Sequence, residues 1–109
     1  MGTTSADLAA ADLTLLVTFF QNDRYGGAWD TVGGRNGPCD TQGYSFSNLT
    51  LTNFDVNGIS SYQLTNQCRL ASYWNETDFQ GDKRSSVRGN NPFVGAPWND
   101  RLLSMRVWR

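Results

Sequence analysis

The side chains able to do chemistry in this sequence are two cysteines, Cys39 and Cys68, a scatter of carboxylates and two serine doublets. No histidine occurs among the 109 residues, which excludes His-dependent catalytic triads and His-ligated metal centres. Two cysteines without histidine also fall short of a four-ligand structural zinc site within one chain. Asp23, Asp30, Asp40, Asp55, Glu76, Asp78, Asp82 and Asp100 could in principle supply a carboxylate pair for hydrolysis. They fall mostly in turns or on polar faces, where acids are the default. Ser60 and Ser61, like Ser85 and Ser86, have no activating base beside them. The expectation is a protein that is not an enzyme.

Cys39 and Cys68 read either as a disulfide or as two free thiols. Both lie in turn-rich sequence, "NGPCDTQG" and "TNQCRLAS". A bridge would close a loop of about 30 residues and stabilise the fold by about 3.5 kcal/mol in the loop-entropy account. It would also place the protein in an oxidising compartment, secreted or extracellular. Residues 1–13 lack the basic and apolar regions of a secretory leader, so secretion is expected through a leader removed from the chain.

The elements that must position these residues are strands. Six Phe, four Tyr and four Trp in a 39% apolar chain can build a core. Eleven glycines with many Asn, Asp, Ser and Thr imply short strands and frequent turns. Residues 1–13 form a flexible tail, with Ser5 as the cap of at most one helical turn. "LLVTFF" would turn Leu15, Val17 and Phe19 inward. "YSFSNLTLTNF" reads as a bulged strand with Phe46 and Leu49 or Leu51 inside. "GISSYQL" adds Ile59, Tyr62 and Leu64, and "RLLSMRVW" adds Leu103, Met105 and Val107. No segment has a convincing helical period, and no apolar run approaches the ~18 residues of a membrane span.

Two stretches align at an offset of 54: Phe20 with Trp74, Tyr25 with Phe79, Gly27 with Gly81. Two aromatics five residues apart can stack across a tightly folded hairpin, and the glycine permits a positive φ there. A remote serine, Ser61 in one copy and Ser104 in the other, can hydrogen-bond backbone left unpaired by the fold-over. The expected architecture is all-β: a double Greek-key sandwich of two four-stranded motifs related by a pseudo-twofold axis. The domain would span 14–109, with the first Greek key at about 14–65 and the second at about 66–109.

On these residues the chain resembles the βγ-crystallin superfamily. The family signature is an aromatic, six intervening residues and a glycine, then a distant serine. Phe20 to Gly27 and Trp74 to Gly81 fit it, and "WNDRLLSMRVW" looks like the family's last strand. The resemblance implies a non-enzymatic structural or stability module.

Many microbial members bind Ca²⁺ through Asn/Asp, Asn/Asp, two free positions, Ser/Thr and Ser, an oxygen-rich set suited to that ion. Here the copies read "VNGISS" (56–61) and "NDRLLS" (99–104). The first keeps Asn57 and Ser60 but starts with Val56; the second keeps Asn99 and Asp100 but has Leu103 for the hydroxyl. In the family's crossed arrangement, Asn57, Ser60 and the Gly58 carbonyl would join a carbonyl near Asn75. Asp100 and the Arg101 carbonyl would join one near Gln21. Each copy has lost a different element. The expectation is weak Ca²⁺ binding, in the range of extracellular modules, set against the alternative that both are degenerate turns.

The net charge is −1 with dispersed basic residues, which does not suggest a nucleic-acid binder. A monomer without membrane contacts is expected. The loop at 88–98, "RGNNPFVGAPW", is the best candidate for a protein contact. Its presence supports the alternative of a secreted protease inhibitor or toxin-like binding protein with the same fold. "NLT" at Asn48 and "NET" at Asn75 are acceptor triplets for glycosylation in a eukaryotic secretory route. Of the tryptophans, Trp29, Trp98 and Trp108 are expected chiefly to pack.

Overall fold

The computed structural model describes residues 14–49, 58–96 and 98–109. The readings made for residues 1–13, Leu51, Val56 and Asn57 lie outside them. Among the described residues seven strands form: β1 (Thr14–Phe20), β2 (Trp29–Gly34), β3 (Tyr44–Phe46), β4 (Ser61–Leu64), β5 (Leu70–Trp74), β6 (Lys83–Arg88) and β7 (Ser104–Trp108). They make two antiparallel sheets, ordered β2-β1-β4 and β3-β7-β5-β6.

The two sequence copies exchange their third elements. β3 belongs to the first copy by sequence but pairs with β7 of the second. In return, Asn91 of the second copy bridges to Tyr62 on β4 of the first. Among the described residues this reciprocal element is a single bridge, so the sheets have three and four strands. The exchange carries the chain back and forth between the layers, so neither copy can bury its apolar face alone.

The core is what strand alternation leaves between the layers. Phe19, Ile59, Tyr62, Ala71, Tyr73, Met105 and Val107 are buried there. Two readings shift by one residue. A register slip between Leu15 and Val17 puts Leu16 fully inside and leaves Leu15 half-buried. Leu102 likewise takes the buried place assigned to Leu103, because strand pairing starts only at Ser104. Phe46 and Leu49 are both buried, and Leu64 packs partly against the core. Beyond Phe46 the expected long strand gives way to a segment whose Leu49 N–H donates to the Leu103 carbonyl at 2.8 Å.

Cys39 and Cys68 form a disulfide with their Cα atoms 4.9 Å apart. The Cys39 N–H donates to the Asn66 carbonyl at 2.9 Å, tying the loop after β2 to the turn before β5. The bridge thus joins the first copy to the connection that leads into the second.

Candidate metal centre

Each first hairpin folds back over its own sheet. In the first copy Arg24, Tyr25 and Gly27 have φ of 53°, 62° and 77°; in the second Asp78, Phe79 and Gly81 have 57°, 61° and 80°. The glycines were expected to be left-handed, but two side-chain-bearing residues in each turn share that strain. Non-glycine residues adopt it only when the surroundings impose it. A Cβ at Gly27 would also lie 2.7 Å from Nδ2 of the exposed Asn22, whose side chain would have to move aside.

What imposes the turn is the serine. The Tyr25 N–H donates to Ser61 Oγ at 3.0 Å, and that hydroxyl donates to the Asn22 carbonyl at 2.6 Å. The second copy repeats both bonds, Phe79 N–H to Ser104 Oγ at 3.0 Å and Ser104 Oγ to the Glu76 carbonyl at 2.7 Å. Both hydroxyls are fully buried. The aromatics close the corner edge-to-face, Phe20 on Tyr25 at 5.7 Å and Trp74 on Phe79 at 5.0 Å. These eight residues occupy equivalent places in the two halves.

The corner presents Gln21 and Asn22 to a loop from the other copy. The Ser60 N–H donates to the Phe20 carbonyl at 2.9 Å, which holds Ser60 against the first hairpin. The equivalent bond in the second copy runs from Leu103 N–H to the Trp74 carbonyl at 3.0 Å. Asp100 reaches the first hairpin from across the pseudo-twofold, its N–H donating to the Ile59 carbonyl at 3.0 Å. Its φ of 59° is one that aspartate tolerates better than most residues. Ser60 Oγ lies 3.4 Å from Asp100 Oδ1.

Gln21, Asn22, Asp23, Ser60, Phe93, Asn99 and Asp100 line an open depression of about 540 Å³. The expected donor sets are therefore regrouped. Gln21 and Asp100 meet as the crossed arrangement implies, and Ser60, expected with Asn75, joins them. Gly58 is buried one residue before Ile59, while Arg101 is exposed and donates its N–H to the Trp98 carbonyl at 2.8 Å. Around Asn75 the only side chain offered at the serine position is that of Leu103. Asn75 itself is buried, its Nδ2 on Asp82 Oδ2 at 3.3 Å and its Oδ1 accepting the Asp82 N–H at 2.9 Å.

The donor set suits a hard cation. Among the described residues no three of His, Cys, Asp and Glu cluster as a metal-holding group. Carbonyl, hydroxyl and amide oxygens with the carboxylates of Asp23 and Asp100 match calcium chemistry instead. One oxygen there is unsatisfied: Asn99 Oδ1 is buried without a hydrogen-bond partner. A buried acceptor left in this way costs about 1–3 kcal/mol unless something donates to it or coordinates it.

The loop carrying Asn99 is held from behind by Trp98, whose ring meets Tyr73 edge-to-face at 5.5 Å and whose Nε1–H donates to the Asp82 carbonyl at 2.9 Å. Trp98 therefore packs as expected, whereas Trp29 stays 55% exposed and Phe93 45%. Sequence reading passed over Asp23, Asn22 and Phe93 as site residues. The aromatic and glycine spacing located the hairpin corner but not which of its neighbouring side chains would face Ser60 and Asp100.

No known family model matches the sequence, and no curated protein matches it. Solved structures do. A βγ-crystallin domain from Clostridium beijerinckii superposes with a TM-score of 0.60 at 22% identity, covering 85% of this chain and 97% of its own. A clostrillin double mutant in complex with nickel gives 0.62 at 24%, covering 88% and 100%. A βγ-crystallin from Ciona intestinalis gives 0.58 at 20%, covering 84% and 96%. Together with the exchanged strands and the paired serine-pinned corners, these likenesses establish that the chain has the βγ-crystallin fold.

Proposed function

We propose that this protein is a non-enzymatic, secreted βγ-crystallin-type structural module that binds one Ca²⁺ weakly. The observation that carries the reading is the convergence of Ser60 and Asp100, from different copies, beside the Gln21 and Asn22 segment and the orphaned Asn99 Oδ1. Each copy contributes the element the other has lost, so one of the two pseudo-equivalent places keeps its donors. The other, around Asn75, has Leu103 where the hydroxyl belongs. Asp100, Ser60 and the neighbouring oxygens would hold the ion, and calcium would supply a cross-link between two loops, with no chemistry of bond breaking. The disulfide is consistent with an oxidising compartment. Thermal unfolding of chelator-stripped protein with and without calcium tests the reading. At ten times Kd one bound ion contributes about 1.4 kcal/mol, a melting shift of several degrees for a domain of this size. No shift at millimolar calcium would remove the ion from the account.

A second reading is favoured by one feature, the exposed Phe93. The loop presenting it is fixed on both sides: Asn91 exchanges backbone hydrogen bonds with Tyr62, and the Val94 N–H donates to the Ser60 carbonyl at 3.0 Å. A rigid loop with one projecting aromatic is a form that inhibitors of secreted proteases use to fill a cleft. Inhibition of a metallo- or serine protease by micromolar protein, lost in Phe93→Ala, would support it.

A further inference from the structure

The duplicated fold provides its own control for surface charge. In the four-stranded sheet Ala71, Tyr73, Met105 and Val107 point into the core, so their strand neighbours Leu70, Trp74, Arg106 and Trp108 face outward, with Ser72 on the same side but buried. Lys83 and Arg88 lie opposite Trp74 and Leu70 and share that face. Two of these cations sit on indoles: Lys83 Nζ is 5.1 Å from the Trp74 ring centroid, and the Arg106 guanidinium is 4.5 Å from that of Trp108. Four residues of β5 separate the rows of Lys83 and Arg88, so the cationic strip spans about 13 Å. On the other sheet the equivalent face carries Thr18, Phe20, Trp29, Ser61 and Gln63, with no charge. Trp29 stands where Lys83 does, and Gln63 where Arg106 does. The fold thus forms this face without cations, and their presence on one sheet alone calls for another cause.

We infer that the outer face of the β3-β7-β5-β6 sheet binds an acidic polysaccharide, through its sulfate or carboxylate groups. A sheet face presenting guanidinium and ammonium groups at intervals matches a chain of spaced anions. In the extracellular setting proposed above, on which this inference rests and with which the disulfide is consistent, the available polyanions are acidic glycans. The nearest carboxylates lie at the ends of the strip and not along it. Glu76, Asp78 and Asp82 lie on the folded hairpin at the Trp74 end, and Asp40 Oδ1 is occupied by the N–H groups of Gln42 and Gly43. Arg106 spends one donor on the Gln42 carbonyl at 3.1 Å and keeps the others.

The test uses heparin, by affinity chromatography and calorimetry in chelator, so that calcium plays no part. Wild-type protein binds, and the Lys83→Gln/Arg88→Gln double variant, altered only on the exposed edge strand, binds roughly tenfold more weakly at physiological salt with an unchanged melting temperature. Binding should also weaken steeply with added salt. Absence of heparin binding, equal binding by the folded double variant, or equally strong retention of single-stranded DNA would each overturn the inference.

Discussion

Ser60 and Asp100 lie 3.4 Å apart, hydroxyl to carboxylate, although each belongs to a different copy of the duplicated unit. Their meeting follows from the strand exchange, which brings the closing loop of one copy onto the first hairpin of the other. It converts two incomplete sequence motifs into one donor set and leaves the opposite place with Leu103.

The corner serines are expected to hold the fold. Ser61→Ala leaves the Tyr25 N–H and the Asn22 carbonyl without their hydroxyl partner, and Ser104→Ala does the same to Phe79 and Glu76. Each variant should lose about 2 kcal/mol in urea unfolding. The two losses should add in the double variant, because the corners share no partner. A loss in one copy only would show that the corners are not equivalent.

Reduction of Cys39–Cys68 should lower stability by about 3.5 kcal/mol without changing the fold, since the bridged segments are also joined through Cys39 N–H and the Asn66 carbonyl. The Cys39→Ser/Cys68→Ser variant, followed by circular dichroism and urea, measures it. A loss under about 1 kcal/mol would show that the bridge closes a loop already restricted in the unfolded chain.

The two core tyrosines should respond differently to loss of the hydroxyl. Tyr73 Oη donates to the Val94 carbonyl at 2.9 Å and accepts from Asn91 Nδ2 at 3.1 Å, so Tyr73→Phe should cost about 2 kcal/mol. Tyr62 Oη is buried with no hydrogen-bond partner, so Tyr62→Phe should be neutral or stabilising. Asn91 weakly favours the Tyr62 phenolate, but its amide hydrogen bond goes to Tyr73.

Burial pushes both phenols above their ordinary value of 10.0. A phenol raised on folding stays protonated in the native state while the unfolded chain ionises. Stability is therefore fully present below about pH 10 and falls as pH rises beyond it. The decline should be smaller in Tyr62→Phe, as chemical denaturation across pH 8 to about 11 would show.

The parts of the fold legible in the sequence were those with strict steric demands. Aromatic, glycine and serine spacing located both corners, because few other residues fill a folded-over turn. The left-handed Arg24, Tyr25, Asp78 and Phe79 were not legible, since nothing in those side chains signals a conformation the serines impose. Leu16 and Leu102 were missed because a bulge or a late strand start moves alternation by one residue. The donor grouping was hidden for a longer-range reason. Motif order along the chain assigns Ser60 and Asp100 to different places, and only the pairing of loops across the pseudo-twofold brings them together. The positive strip was hidden similarly: Lys83, Arg88 and Arg106 look dispersed until sheet register aligns them.

Isothermal titration of calcium into chelator-stripped protein tests the Ser60–Asp100 site most directly, with Asp100→Gly as the comparison because glycine keeps the left-handed backbone without the carboxylate. The wild-type protein should bind one ion per chain with Kd of roughly 10⁻⁴–10⁻³ M, and the variant none. Two ions per chain, no heat at millimolar calcium, or binding undiminished in Asp100→Gly would contradict it.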